Sequence, residues 1–131
     1  MNAASKDIVS ILNTDGIGTE GTDLFYSSAP ESPDDHLLVT DIPGPPVEEL
    51  MDGTEMRRNS VQIQSRNNTF DGAITKIEAA LANLKGKGQV TIAGSARYIA
   101  FWQDSTVFDL DEDKSGRFTR SVYVRTIRQG V

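Results

Sequence analysis

Behind Ser5, Ile8, Ile11 and Leu12 recur at i, i+3 and i+4, a spacing that puts all three on one stripe of a helix capped by Ser5. The helix is expected to stop near Asn13, before the turn-forming run Asp15-Gly16-Ile17-Gly18. Asp23 to Ser27 reads as a strand, closed by a segment whose Pro30 and Pro33 suit neither a helix nor a central strand. His36 to Ile42, HLLVTDI, is the next strand. Pro43-Gly44-Pro45-Pro46 ends it, and residues 43–58 read as one long, mobile connection with a short helical turn opening on Pro46. Val61 and Ile63 then alternate with Gln62 and Gln64, the mark of a strand with one buried face.

Asn68 caps the clearest helix, with Asp71 three residues on in a capping-box-like start. Ile74, Ile77, Leu81 and Leu84 share one face with Ala73 and Ala80; Gly86 ends the helix, and Lys85 complements its negative end. Strands over Gln89 to Ala93 and Arg97 to Gln103 flank a Gly94-Ser95 turn. Phe118 to Ile127 is a long final strand rich in β-branched and aromatic residues. No internal repeat or heptad is visible. This order predicts an α+β fold in a single domain spanning residues 1–131, not strict βαβ alternation.

Composition narrows the function classes. At 131 residues the chain suits one domain with a modest core, and no apolar run approaches the ~20 residues of a membrane helix. The opening MNAASKDIVSIL lacks the basic-then-apolar form of a secretion signal. Cysteine is absent, which removes disulfides and thiol chemistry and fits folding in a reducing cytoplasm. The net charge of −6 argues against a sustained grip on DNA, which needs a basic patch to replace counterions. The arginines are scattered instead. In the last strand Arg117 and Arg125 are expected on one face and Arg120 and Arg128 on the other.

Three motifs invite chemistry and none sustains it. DEDKSGRFTRSV places Asp111, Asp113, Ser115 and Gly116 at calcium-loop positions, but the closing glutamate is replaced by Val122 and strands, not helices, flank the run. It reads as a hairpin turn. Gly16-Ile17-Gly18-Thr19-Glu20-Gly21 matches the dinucleotide fingerprint by letter, yet a helix precedes it and a strand follows, the reverse of the phosphate-binding order. Asp34-Asp35-His36 sets two carboxylates beside the one histidine, and one His without Cys cannot build a usual zinc site. No catalytic, cofactor or metal residue is assigned.

The stretch GIGTEGTDLF over residues 16–25, followed by Ala29-Pro30-Glu31-Ser32-Pro33-Asp34-Asp35, resembles the opening of the tail completion, or minor capsid, proteins of long-tailed bacteriophages. The later order is similar too: the alternating strand Ser60 to Arg66, the amphipathic helix Phe70 to Leu84, a hairpin, and a long last strand entered from Asp113-Lys114-Ser115-Gly116-Arg117-Phe118. The resemblance implies a tail terminator. Its fold would be a single mixed or antiparallel sheet with two main helices on one face, assembled as a homo-hexameric ring at the neck end of the tail in the virion. Its implied partners are itself, the tail tube protein and the neck or head completion protein. DNA would pass through without specific binding, no membrane or cofactor is involved, and assembly would occur in the host cytoplasm. The acidic run Asp109 to Asp113 departs from this pattern.

A terminator must match the last ring of the tube on one side and withhold the repeating surface on the other. Exposed sheet edges and long loops suit such contacts. Val47, Leu50, Met51 and Met56 are apolar residues on an otherwise polar connection and are the candidate assembly interface; folding back onto the domain is the alternative. Two other functions compete: a head completion or connector protein of the same virion, and a hydrolase using scattered carboxylates.

Overall fold

The computed structural model describes residues 1–30, 35–43, 48–49, 55–110 and 116–130. Within them the order is α1 (Ala4–Thr14), β1 (Leu24–Tyr26), β2 (His36–Ile42), β3 (Glu48–Glu49), β4 (Glu55–Asn67), α2 (Phe70–Lys85), β5 (Val90–Ile92), β6 (Ala96–Gln103), β7 (Phe108–Leu110) and β8 (Phe118–Gly130). The strands form one mixed sheet in the order β1-β2-β4-β8-β6-β5, with β3 beside β4 and β7 beside β8. Only the β1–β2 pair is parallel. The fold is α+β, with both helices on one side of the sheet.

Alternation along the central strands decides which face the helices cover. Val61 and Ile63 of β4 stand opposite Val124 and Val122 of β8, and Val39 of β2 stands opposite Ile63. All are fully or almost fully buried, together with Ile8, Val9, Ile11 and Leu12 of α1 and Ile77, Ala80, Leu81 and Leu84 of α2. Ile74, expected in this stripe, is only half-buried. In β6 the register with β8 shifts between Tyr98 and Ala100, so Ile99 is an extra residue in a bulge. The bulge turns Phe101 as well as Tyr98 inward, and their rings stack at 5.3 Å.

The helix starts differ from the sequence expectation. Thr69, not Asn68, caps α2: its hydroxyl accepts from the Gly72 backbone N–H at 3.1 Å, while Asn67 Oδ1 accepts from Thr69 N at 3.0 Å. Ser5 lies inside α1 and does not cap it. Asp41 of β2 reaches the helix start instead, accepting from Ser5 N at 3.1 Å and from Ser5 Oγ at 2.7 Å. A carboxylate from another element thus meets the positive end of the helix.

Residues 43–58, read as one connection, contain β3 and the start of β4. β3 pairs with β4 beyond the end of β2, so it resumes the ladder that β2 leaves at Ile42. Pro43, which directly follows β2, has no N–H to donate to a ladder. β7 resumes the β6 ladder in the same way on β8. The expected hairpin around residues 111–116 is consistent with the antiparallel β7–β8 pair, and Gly116 takes a φ of 72°; residues 111–115 lie outside the described residues.

These pairings repeat. Laying β4 on β8 end to end puts Val61 on Val124, and those two residues already face each other. The pair Leu37–Ser65 then corresponds to Tyr98–Arg128, Val39–Ile63 to Phe101–Thr126, and Glu48–Met56 to Leu110–Thr119. The sheet therefore has an approximate two-fold axis through the Val61–Val124 pair. Each half runs helix, edge strand, long strand, short strand, central strand. The symmetry breaks at the edges, because β1 is parallel to its neighbour and β5 antiparallel. Almost no side chains repeat, which is why the sequence displays no repeat; Arg57 falling on Arg120 is an exception.

One polar cluster lies inside. Asp7 of α1 accepts from Ser95 Oγ at 2.6 Å and Tyr98 OH at 2.7 Å, and Arg128 Nη1 lies 3.7 Å from the same oxygen. The Asp7 and Arg128 side chains are 1% and 3% exposed. Arg128 also donates to the Asn2 carbonyl at 2.6 Å and to Asn59 Oδ1 at 2.8 Å, while Asn2 N donates to Ser95 Oγ at 2.9 Å. Burial, and then the bond to Asp7, push the Tyr98 phenol above its ordinary range. As Arg128 is buried against Asp7, Arg128→Ala should cost about 3–5 kcal/mol in urea unfolding, because it strands a buried carboxylate. Tyr98 has a second signature. Its folded pKa is raised, so its contribution to stability is complete below the unfolded value of about 10 and is lost as pH rises past it. Alkaline titration followed by absorbance should show one tyrosine ionising only with unfolding, and Tyr98→Phe should abolish that step.

Candidate assembly interface

The sheet face turned away from the helices is polar along its centre. β4 presents Arg58, Ser60, Gln62, Gln64 and Arg66 there, in register with Ile127, Arg125, Tyr123, Ser121 and Thr119 of β8, respectively. Some of these groups bond to one another: Gln62 Nε2 donates to Ser121 Oγ at 2.7 Å, and Arg125 Nη2 donates to Asp104 Oδ2 at 3.1 Å. Phe108 and the exposed Tyr123 add an aromatic pair at 5.5 Å. The expected alternation of arginines holds for Arg120 and Arg128, which face the helices, and for Arg125, which faces out; Arg117 is buried just before β8 begins.

The β1 edge is partly closed by its own chain. The outward carbonyls of Leu24 and Tyr26 accept from Gly21 N at 3.0 Å and Ser28 N at 2.9 Å, so the chain spends its own edge acceptors. The glycine run that forms this closure is no phosphate cradle. Thr19 N donates to Asp23 Oδ1 at 2.6 Å and Glu20 N to Asn13 Oδ1 at 3.0 Å, which occupies amides an anion would need.

His36 is buried at the start of β2 with its ring edge-on to Phe25, centroids 5.8 Å apart. Asp35 is exposed and accepts from Asn68 N at 3.4 Å; Asp34 lies outside the described residues. Among the described residues no three His, Cys, Asp or Glu side chains are grouped to hold a metal. Two surface grooves each carry one carboxylate: Glu78 beside Lys85 and Gln103 between α2 and β6, and Asp104 beside Tyr123 on the bare face.

Of the candidate interface residues, Val47, Leu50 and Met51 lie outside the described residues. Met56 is half-buried on β4, between Glu48 of β3 and Gln129 of β8 in register. Three features were missed in the sequence. Glu55 to Asn59 belong to β4, β7 is a strand, and Arg57 and Arg120 are equivalent positions at opposite ends of the sheet. Arg57 pairs with Glu55 at 3.0 Å and Arg120 with Asp109 at 2.7 Å. The short β-like run FDL ahead of an acidic turn was the available signal for β7.

The chain belongs to the bacteriophage tail terminator protein family, whose profile matches residues 11–129. It is thus a structural protein of a phage tail. Among solved structures, a chain from a structure described as "Virion of native gene transfer agent (GTA) particle" shares the fold, with a TM-score of 0.57 and 16% identity over 98% of this chain and 87% of that one. No curated protein matches the sequence.

The glycine run provides a test of its structural role. A Cβ on Gly18 would meet Asp23 Oδ1 at 3.1 Å and Leu24 Cβ at 3.3 Å, both tight. Gly18→Ala should therefore destabilise the protein by roughly 1–3 kcal/mol in urea unfolding, the usual cost of overpacking. An unchanged midpoint would show that the close approach carries no weight.

Proposed function

We propose that the protein terminates the tail: copies form a ring, six-membered in the resemblance, on the end of the tail tube, stop its growth and offer the neck connector a place to dock. The observation that carries this reading is the family match across residues 11–129. A tube of stacked rings grows because each ring presents the surface the next one binds. A ring that matches the tube below and differs above ends the series by heterologous contact, without any bond made or broken. Catalysis has no part in this reading.

The net charge of −6 per chain, multiplied around a ring, discourages phosphate backbones from sticking as DNA passes. The protein would reside in the virion at the neck end of the tail, after assembly in the host cytoplasm, with itself, the tube protein and the neck protein as partners. Val47, Leu50, Met51 and Met56 remain the proposed apolar anchors near the β3–β4 hairpin.

Tails assembled without the protein should be overlong or ragged in electron micrographs. Uniform tails of normal length, or co-purification with the portal instead of tubes, would refute termination and favour a head completion role. The double substitution Leu50→Ser and Met51→Ser should weaken ring or tube binding while leaving the thermal melt of the monomer unchanged. Unaltered assembly would remove both residues from the interface.

A further inference from the structure

Acidic and basic residues are segregated along the chain. Residues 7–56 hold twelve of the 19 Asp and Glu and no Lys or Arg, whereas residues 79–103 hold Lys85, Lys87 and Arg97 and no carboxylate. The topology carries this contrast to the two edges of the sheet, since the first stretch supplies β1 and β2 and the second β5 and β6. On the β1 flank Glu20 and Asp35 are exposed, and Glu20 bridges to Leu24 alongside β1. Tyr26 of β1 is 36% exposed beside them, and its hydroxyl has no partner among the described residues.

The β5 flank is different. Among the described residues its one loop bond is Ser95 N to Ile92 O, inside its own turn, so no other element covers its outer edge. Against that edge lies an open groove of about 400 Å³, walled by Ile11 and Thr14 of α1 and by Val90, Thr91 and Ile92 of β5. No residue lining it is acidic. Lys87 in its wall is held by Asp15. Two exposed cations beside it meet no partner among the described residues: Lys6, one turn before Ser10 on α1, and Arg97, in register with Thr91.

Resting on the terminator reading, we infer that the β5 groove takes the β1 flank of a second copy of this chain, with Tyr26 as the side chain that enters it. Charge complementarity names the occupant. Every copy that brings the cations Lys6 and Arg97 on one flank brings the carboxylates Glu20 and Asp35 on the other. A two-fold contact of groove with groove would set the same cations against each other, so the favoured contact is heterologous, the kind that closes into a ring. Tyr26 suits the groove because its ring is apolar enough for Ile11, Val90 and Ile92 while its hydroxyl can meet Thr14 or Thr91.

The chain has no cysteine, so introduced pairs report the contact in whole virions. Phage assembled with Tyr26→Cys and Thr91→Cys together, treated with a short bismaleimide, should yield a covalent ladder from dimer up to the full ring on denaturing gels. Either substitution alone should leave single chains. Thr14→Cys takes the place of Thr91→Cys should the edge substitution lower the thermal melt. Arg97→Glu should reduce the share of tails with normal length about tenfold, a hot-spot-sized loss, and adding Glu20→Arg should restore it. Tails of normal length that give no ladder, dimers from either single variant, or a loss that Glu20→Arg leaves unrestored would overturn the contact. Uniform tails in the complete absence of the protein would instead overturn the terminator reading itself.

Discussion

The antiparallel pairing of β4 with β8 is the constraint on which the rest of the structure depends. It runs from Met56–Gln129 to Asn67–Phe118 and is the longest ladder in the sheet. Its alternation fixes which side chains meet α1 and α2, because a one-residue slip of β4 would turn Val61 and Ile63 away from the helices while Val122 and Val124 stayed inward. Its direction fixes where the short strands fall: β3 at one end, β7 at the other. The approximate two-fold axis through Val61 and Val124 is a property of this pairing.

The buried Asp7–Arg128 pair ties the helical layer to that ladder at one end. Its charges are satisfied by four further residues: Ser95 in the β5–β6 turn, Tyr98 at the bulge, Asn59 on β4, and Asn2 at the chain's start. Buried ion pairs often yield little net stability over an apolar replacement, but they penalise any arrangement that leaves one partner alone. Here that penalty fixes α1 against the β6 bulge, since no other placement of Asp7 supplies the same donors. Asp41 adds to the same fixation by capping α1 from β2.

Much of this was legible in the sequence where one period ruled a segment. β2 was read with its bounds intact, and the apolar stripe of α2 was read apart from the half-buried Ile74. The cap of α2 was off by one because Asn67, Asn68 and Thr69 are all able caps, and only the folded backbone makes Asn67 bond to Thr69 and leaves Thr69 for Gly72. The start of β4 was illegible for a physical reason. Its inward positions there are Arg57, paired with Glu55 on the same strand, and Asn59, which accepts from Arg128 far along the chain, so the alternation of hydrophobicity disappears although the strand continues. Arg128 hides in the same way among the arginines of β8. The family resemblance was carried by the order of weak motifs, which also explains why it pointed to a role and not to interface residues.

In the proposed reading the protein acts through shape and charge on two sides of a ring, so its function lies in surfaces that composition leaves nearly blank. The central claim is that copies of this chain close into a ring on a tube end. Negative-stain electron microscopy of the purified protein mixed with tail tubes tests it directly. The account predicts annular particles with a central hole, seated on the tube ends. Solitary compact particles that leave the tube ends bare would contradict it.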